Sequence, residues 1–273
     1  MKTFSARRWL LGSLTALVAA LLAFGTQVGR DILHPVAVYT GTLLLLLVLV
    51  LTFFNARKKL PFFPLLSAST WLQAHIYLGW LCCFVFLLHT SGRLPSGRLE
   101  LILAGVFFAV AASGAFGLWL SRWLPPRLVR SGESLVFERI PTLRHRLADE
   151  ALGIVRRAET ELQSSTLPDF HLRVLHGYFL RVPPLIAPLI GDDPEFHRVR
   201  QELESTRRYL NTSEENLARS LADLLEAKRN LDVQYAGQRL LKLWLFLHIP
   251  LTYALLVFIA AHVWLVIHFS HRL

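Results

Sequence analysis

Five long apolar stretches, each close to the length a helix needs to cross a bilayer, constrain this chain more than any other feature. A hydrocarbon core about 30 Å thick takes roughly 20 residues of helix. The stretches cover residues 9–28, 36–54, 71–89, 99–120 and 241–268. Each is bounded by charge, Gly or Pro, as at Arg30-Asp31, Arg57-Lys58-Lys59-Leu60-Pro61 and Trp123-Leu124-Pro125-Pro126. In lipid every backbone N–H and C=O must be satisfied within the segment, so the stretches read as helices. The expected fold is an all-α membrane protein. Spans one to four occupy residues 1–122, a polar helical insert residues 123–238, and span five residues 239–273. The first stretch follows Lys2, Arg7 and Arg8, and Arg7-Arg8-Trp9-Leu10 is loosely similar to a twin-arginine signal. Its apolar run is long for a cleaved signal and is expected to be a retained span.

Composition excludes several alternatives. With 53% hydrophobic and 18% charged residues, neither a disordered chain nor an ordinary soluble globule fits. The net charge of +10 does not point to nucleic acid, because residues 122–242 hold 19 basic against 17 acidic residues. The excess lies around the apolar stretches, as it does in membrane proteins. The two cysteines, Cys82 and Cys83, are adjacent in sequence, and there is no CxxC or CxxCH. A disulfide framework, covalently attached c-type haem and structural zinc are thereby excluded.

Orientation follows from Lys and Arg near the span ends. With the N-terminus inside, the inner edges hold Lys2, Arg7, Arg8, Arg57, Lys58, Lys59, Arg122, Arg127, Arg130, Arg239 and Lys242. The outer edges hold Arg30, Arg93, Arg98 and Arg272. The N-terminus and the insert are expected in the cytoplasm, and spans three and five are expected to run parallel.

The insert favours helices over residues 143–162, 170–181 and 195–210, interrupted by Pro183-Pro184, Pro188 and Gly191-Asp192-Asp193-Pro194. Thr212 with Glu215 three residues on reads as a capping box opening a helix through Leu217, Leu221, Leu224 and Leu225 that continues close to span five. No GxGxxG, P-loop or iron–sulfur cysteine run occurs. His145, His171, His176 and His197 read as solvated surface residues. The insert is expected to be a docking or assembly element, either partly coiled-coil-like or a small packed bundle.

The chemistry is expected inside the membrane. An ionisable side chain within a span is costly and marks function by default. Four histidines qualify: His75 and His89 in span three, His248 and His262 in span five. Each pair is separated by fourteen residues, about 40° short of four full turns, so both members share a helix face. The corresponding rise is about 21 Å, one histidine near each membrane face. In parallel helices His75 matches His248 in depth, and His89 matches His262. Two histidines at one depth on facing helices supply both axial ligands of a haem iron. A proton relay would need a chain of carboxylates within the spans, and the sequence holds no such chain. His34, His268 and His271 near the outer edge are rival ligands; His268 lies about 240° around the helix from His262.

Gly79, one turn after His75, leaves space for a flat macrocycle, and the small residues from Ala111 to Gly117 either do the same or pack helices. Cys82, Phe86, Leu255 and Ile259 project between the two levels as filler, Cys82 as a small hydrophobe. Arg93, Arg98 and Arg272 outside, with Arg57, Lys58, Lys59, Arg239 and Lys242 inside, are candidates to meet haem propionates.

His75-x13-His89, in Trp71-Leu72-Gln73-Ala74-His75-Ile76-Tyr77-Leu78-Gly79-Trp80, and His248-x13-His262 two spans later resemble the di-haem core of cytochrome b and of the ferric reductase-like transmembrane domain. The resemblance covers spans three to five, under half of the chain. It implies a five-helix di-haem bundle with two non-covalent b haems, the inner on His75 and His248, the outer on His89 and His262. The implied function is one-electron transfer across a membrane, expected to be the bacterial inner membrane, with a quinone possible as a further ligand. The sequence carries no flavin or nicotinamide module, unlike ferric reductases, and no quinol-site loop motif. A partner subunit is therefore expected to deliver or remove electrons: a flavoprotein, iron–sulfur protein or cytochrome c docking at the insert or the outer face. The rival readings are a transmembrane reductase with a separate flavoprotein and a non-redox membrane anchor.

Overall fold

The computed structural model describes residues 4–32, 35–53, 68–130 and 136–269. Among these, the regular structure is entirely helical. Four helices come first: α1 (Phe4–Asp31), α2 (Val36–Phe53), α3 (Ala68–His89) and α4 (Arg98–Trp123). The insert contributes α5 (Pro125–Arg130), α6 (Ile140–Leu162), α7 (Thr166–Phe170), α8 (His176–Leu180), α9 (Ala187–Ile190) and α10 (Pro194–Arg207). Last comes α11 (Thr212–Phe269), 58 residues in one helix that includes Pro250. Five of these helices, α1 to α4 and α11, are long and apolar enough to cross a membrane. Contacts divide the chain into two units, one of residues 1–118 with 246–273, the other of residues 119–245.

In the first unit α3 packs on α1 and α2. Its interior is Leu47 and Val48 of α2, Cys82, Val85 and Phe86 of α3, Ala104 and Phe107 of α4, and Leu255 of α11, with Ile259 packed against it. The Phe86 and Phe107 rings stack at 4.3 Å, and Phe108 meets Phe86 edge-on at 5.3 Å. Polar groups fasten the helix ends: the Tyr77 hydroxyl donates to the Arg8 carbonyl at 3.1 Å, and Arg30 donates to Ser91 Oγ at 2.9 Å. The outward surface is strongly apolar, with Trp9, Phe24, Phe246 and Val257 all exposed. Such a surface is stable in contact with lipid tails.

The second unit is a small helical bundle. Its core joins Ala151 and Val155 of α6, Phe170 of α7, Leu203 of α10, and Leu221 and Leu225 of α11. Packing within this bundle accounts for the leucine pattern. The opening helix starts at Ile140, three residues before its expected beginning, because Pro141 occupies the first turn, where a missing N–H costs nothing. The α10 start is capped by Asp193, whose carboxylate accepts from Phe196 N at 3.2 Å and pairs with Arg181 at 3.2 Å. The cap of α11 lies one residue earlier than expected. Glu214 N donates to Asn211 Oδ1 at 2.9 Å and Asn211 N donates to Glu214 Oε2 at 2.7 Å, so the reciprocal box is Asn211/Glu214. Glu215 instead pairs with Arg207 and Arg219.

His171 departs from its expected place on the surface. His145, His176 and His197 are exposed, but His171 is only 4% exposed. It opens a π-helical turn, His171–Leu175, between α7 and α8. Its ring shares the inner face of Leu167, Phe170, Val174 and Leu175 and lies 5.8 Å from the His176 ring.

Candidate functional site

The four span histidines all fall on regular helix, His75 and His89 on α3 and His248 and His262 on α11. His248 lies within electrostatic reach of His75, and His262 within electrostatic reach of His89. Proximity of the first members and of the second members requires α3 and the second half of α11 to run in the same direction. Along α3, Cys82, Val85 and Phe86 fall between the two histidines, and all three are buried in the core with Leu255.

Two of the rings are oriented through Nδ1 by neighbouring helices. His89 Nδ1 lies 3.1 Å from the Ala37 carbonyl and 3.2 Å from Thr40 Oγ1 on α2. A carbonyl can only accept, so Nδ1 carries the proton and the lone pair is on Nε2. Gly41, next to Thr40, is where the ring rests: a Cβ at that position would meet His89 Cε1 at 2.9 Å. On the other pair, His248 Nδ1 lies 2.6 Å from Ser113 Oγ of α4, and that hydroxyl donates to the Val110 carbonyl at 2.9 Å. With its proton on Val110, the Ser113 oxygen accepts from Nδ1–H and the lone pair is again on Nε2. Gly114 stands beside the same ring, 3.7 Å from Cε1 to an added Cβ. His262 Nδ1 is buried with no hydrogen-bond partner, a cost that a buried polar atom carries only for a reason.

These features fit axial ligation of an iron porphyrin. Metal-bound imidazole usually donates its second N–H to a carbonyl or hydroxyl, which fixes the tautomer and raises ligand basicity. Beside Gly79, one turn after His75, there is open space, with nothing within 4 Å of where a Cβ would stand. Among the described residues no three His, Cys, Asp or Glu side chains form a metal cluster, and bis-histidine ligation requires only pairs.

Thr40, Gly41 and the Ser113 hydroxyl were not singled out by the sequence. The available signal was weak: a Thr-Gly step in span two, and one hydroxyl in the small-residue stretch of span four. His268 stays apart as an exposed residue, its Nδ1 2.9 Å from the Trp264 carbonyl. His34 and His271 lie outside the described residues, as do Arg57, Lys58, Lys59 and Arg272. Arg93, Arg98 and Arg239 are exposed. Lys242 is committed within the insert, 2.9 Å from Glu138 Oε1 and 3.7 Å over the Phe137 ring. Its ammonium holds the Glu138 carboxyl below the usual range. Compared with known protein families, curated proteins and solved structures, the chain finds no match.

Proposed function

We propose that the chain is a transmembrane electron-transfer subunit of cytochrome b type that carries two b haems, one on His75 and His248 and the other on His89 and His262. The observation that carries the reading is the fixing of two span histidine rings through Nδ1, His89 at the Ala37 carbonyl and His248 at the Ser113 hydroxyl, with His248 within electrostatic reach of His75 and His262 of His89. Bound there, iron porphyrin would supply reversible one-electron chemistry. The chain's own residues do the rest. The Ala37 carbonyl and Ser113 hydroxyl hold the two rings and raise the basicity of Nε2. Gly79 offers a macrocycle room beside His75. The packed side chains of Cys82, Val85, Phe86 and Leu255 keep water out of the space between the levels.

In this reading the N-terminus and the insert face the cytoplasm of a bacterial inner membrane, His75 and His248 lie toward that side, and His89 and His262 toward the other. Electrons enter or leave through a quinone or a partner subunit, which docks at the insert or the outer face.

The test is the reduced-minus-oxidised spectrum of the detergent-purified chain, with a pyridine haemochrome assay. The expected result is two low-spin b haems per polypeptide, unreactive to carbon monoxide. His75→Ala and His248→Ala each leave the same single haem, and His89→Ala and His262→Ala each leave the other. Absence of haem from a folded preparation overturns the proposal, and loss of haem on His34→Ala with His89→Ala silent overturns the pairing.

A further inference from the structure

Residues 182–190 read Val-Pro-Pro-Leu-Ile-Ala-Pro-Leu-Ile, nine apolar residues without a charge, and they lie in the insert rather than in a span. One side of this segment is anchored. Leu189 is buried with Leu120 and Leu124, at the C-terminal end of α4 and just beyond it, and with Ala236 of α11. Arg127 pins it further: Nε donates to the Leu189 carbonyl at 3.1 Å, Nη1 donates to the Trp123 carbonyl at 2.8 Å, and the guanidinium lies 4.0 Å from the Trp123 ring centroid. The other side is open. Val182, Ile186 and Ile190 are 52%, 55% and 58% exposed.

A single exposed Ile is ordinary, but three in nine uncharged residues leave an apolar patch that water disfavours. Its anchor names the occupant. Leu120 closes the apolar run of α4, where the sequence passes from lipid-compatible residues to Arg122, Arg127 and Arg130. Trp119, half exposed, stacks on Trp123 at 5.2 Å, and Leu243 and Leu245 of α11 are exposed in the same unit. Tryptophan and arginine at the end of an apolar helix mark the headgroup level of a bilayer. Leu189 seats the segment against that helix end, and the exposed Arg122 and Arg239 complement anionic headgroups.

We propose that residues 182–190 form an interfacial membrane element, with Val182, Ile186 and Ile190 seated in the headgroup–acyl boundary beside the end of α4. This inference rests on the apolar helices and not on haem.

The test uses the wild-type chain in nanodiscs of phosphatidylcholine and phosphatidylglycerol doped with a diazirine-tailed phospholipid. Adducts are mapped by mass spectrometry after illumination. The expected yield in peptide 182–190 approaches that of the span peptides. It exceeds by several-fold the yield in the peptide holding Leu172, which is 75% exposed on the same unit. Ile186→Asp/Ile190→Asp, at exposed positions, lowers the yield in its own peptide and leaves the span peptides labelled. A yield no higher than at Leu172 overturns the proposal. So does a peptide shielded from both lipid adducts and hydrogen exchange, which would place a protein partner or a second copy there.

Discussion

A histidine within a span can serve as a ligand only if its ring is held still, and here hydroxyl and carbonyl groups of other helices hold it. Ser113→Ala removes the acceptor of His248 Nδ1–H. Under the proposed ligation the expected outcome is roughly ten- to hundred-fold weaker retention of the haem assigned to His75 and His248, read from transfer to a haem scavenger, with the other haem unaffected. Gly41→Ala puts a Cβ 2.9 Å from His89 Cε1, which the ring can relieve only by moving away from Ala37 and Thr40. Haem content is expected to fall from two toward one. Gly114→Ala meets His248 at an ordinary 3.7 Å and is expected to keep both. The histidines themselves were legible because a titratable group in hydrocarbon is costly and a fourteen-residue step keeps one face. Thr40, Gly41 and Ser113 were not, because a sequence does not record how far neighbouring helices rotate against one another.

At the scale of the element, small shifts in register decide outcomes. Two overlapping capping patterns, Asn211 with Glu214 and Thr212 with Glu215, begin α11, and the one whose first residue has the better capping side chain forms. Asn211→Ala is expected to cost about 1 kcal/mol of stability in the insert, and Thr212→Ala less, as read by amide exchange at the start of α11. His171 stands three and four residues from Leu167, Val174 and Leu175, on the face that packs into the bundle, so its polar letter hides a core position. Burial and the nearby His176 hold the His171 imidazole below its ordinary value of 6.5. Unfolded chain then binds the proton first as pH falls, so stability declines through 6.5 and levels off below the depressed folded value. Protection factors of residues 166–180, with the intrinsic pH dependence of exchange divided out, are expected to be lower at pH 5.5 than at pH 7.5, and His171→Gln to lose most of that difference.

For the whole molecule the five apolar runs and the polar insert were readable, since hydropathy and length alone distinguish a lipid-facing helix from a water-facing one. What length and hydropathy could not give is the interior of the insert. Lys228 and Asp232, four residues apart on α11, form a fully buried pair with Nζ 2.5 Å from Oδ2, and the Lys228 ammonium also donates to the Arg181 carbonyl at 3.3 Å. On sequence they look like any exposed helical ion pair. Lys228→Met removes the ammonium hydrogen-bonded to the buried Asp232 carboxylate and is expected to cost about 3–5 kcal/mol. Lys228→Met/Asp232→Leu is expected to recover most of it, checked by thermal melting in detergent.

The division of the proposed ligands between α3 and α11 also sets an order in time. His89 and His248 are separated by 159 positions, 248 minus 89. At about 5–20 residues per second the ribosome needs roughly 8–32 s to pass from one to the other. The insert has its core residues synthesised once Leu225 has been added, before the apolar part of α11 is made. During that interval α3 carries half of each histidine pair with no counterpart yet synthesised. Under the proposed ligation, cofactor capture is the closing act of biogenesis, and a ribosome stalled within the insert would yield a membrane-inserted chain unable to retain either haem.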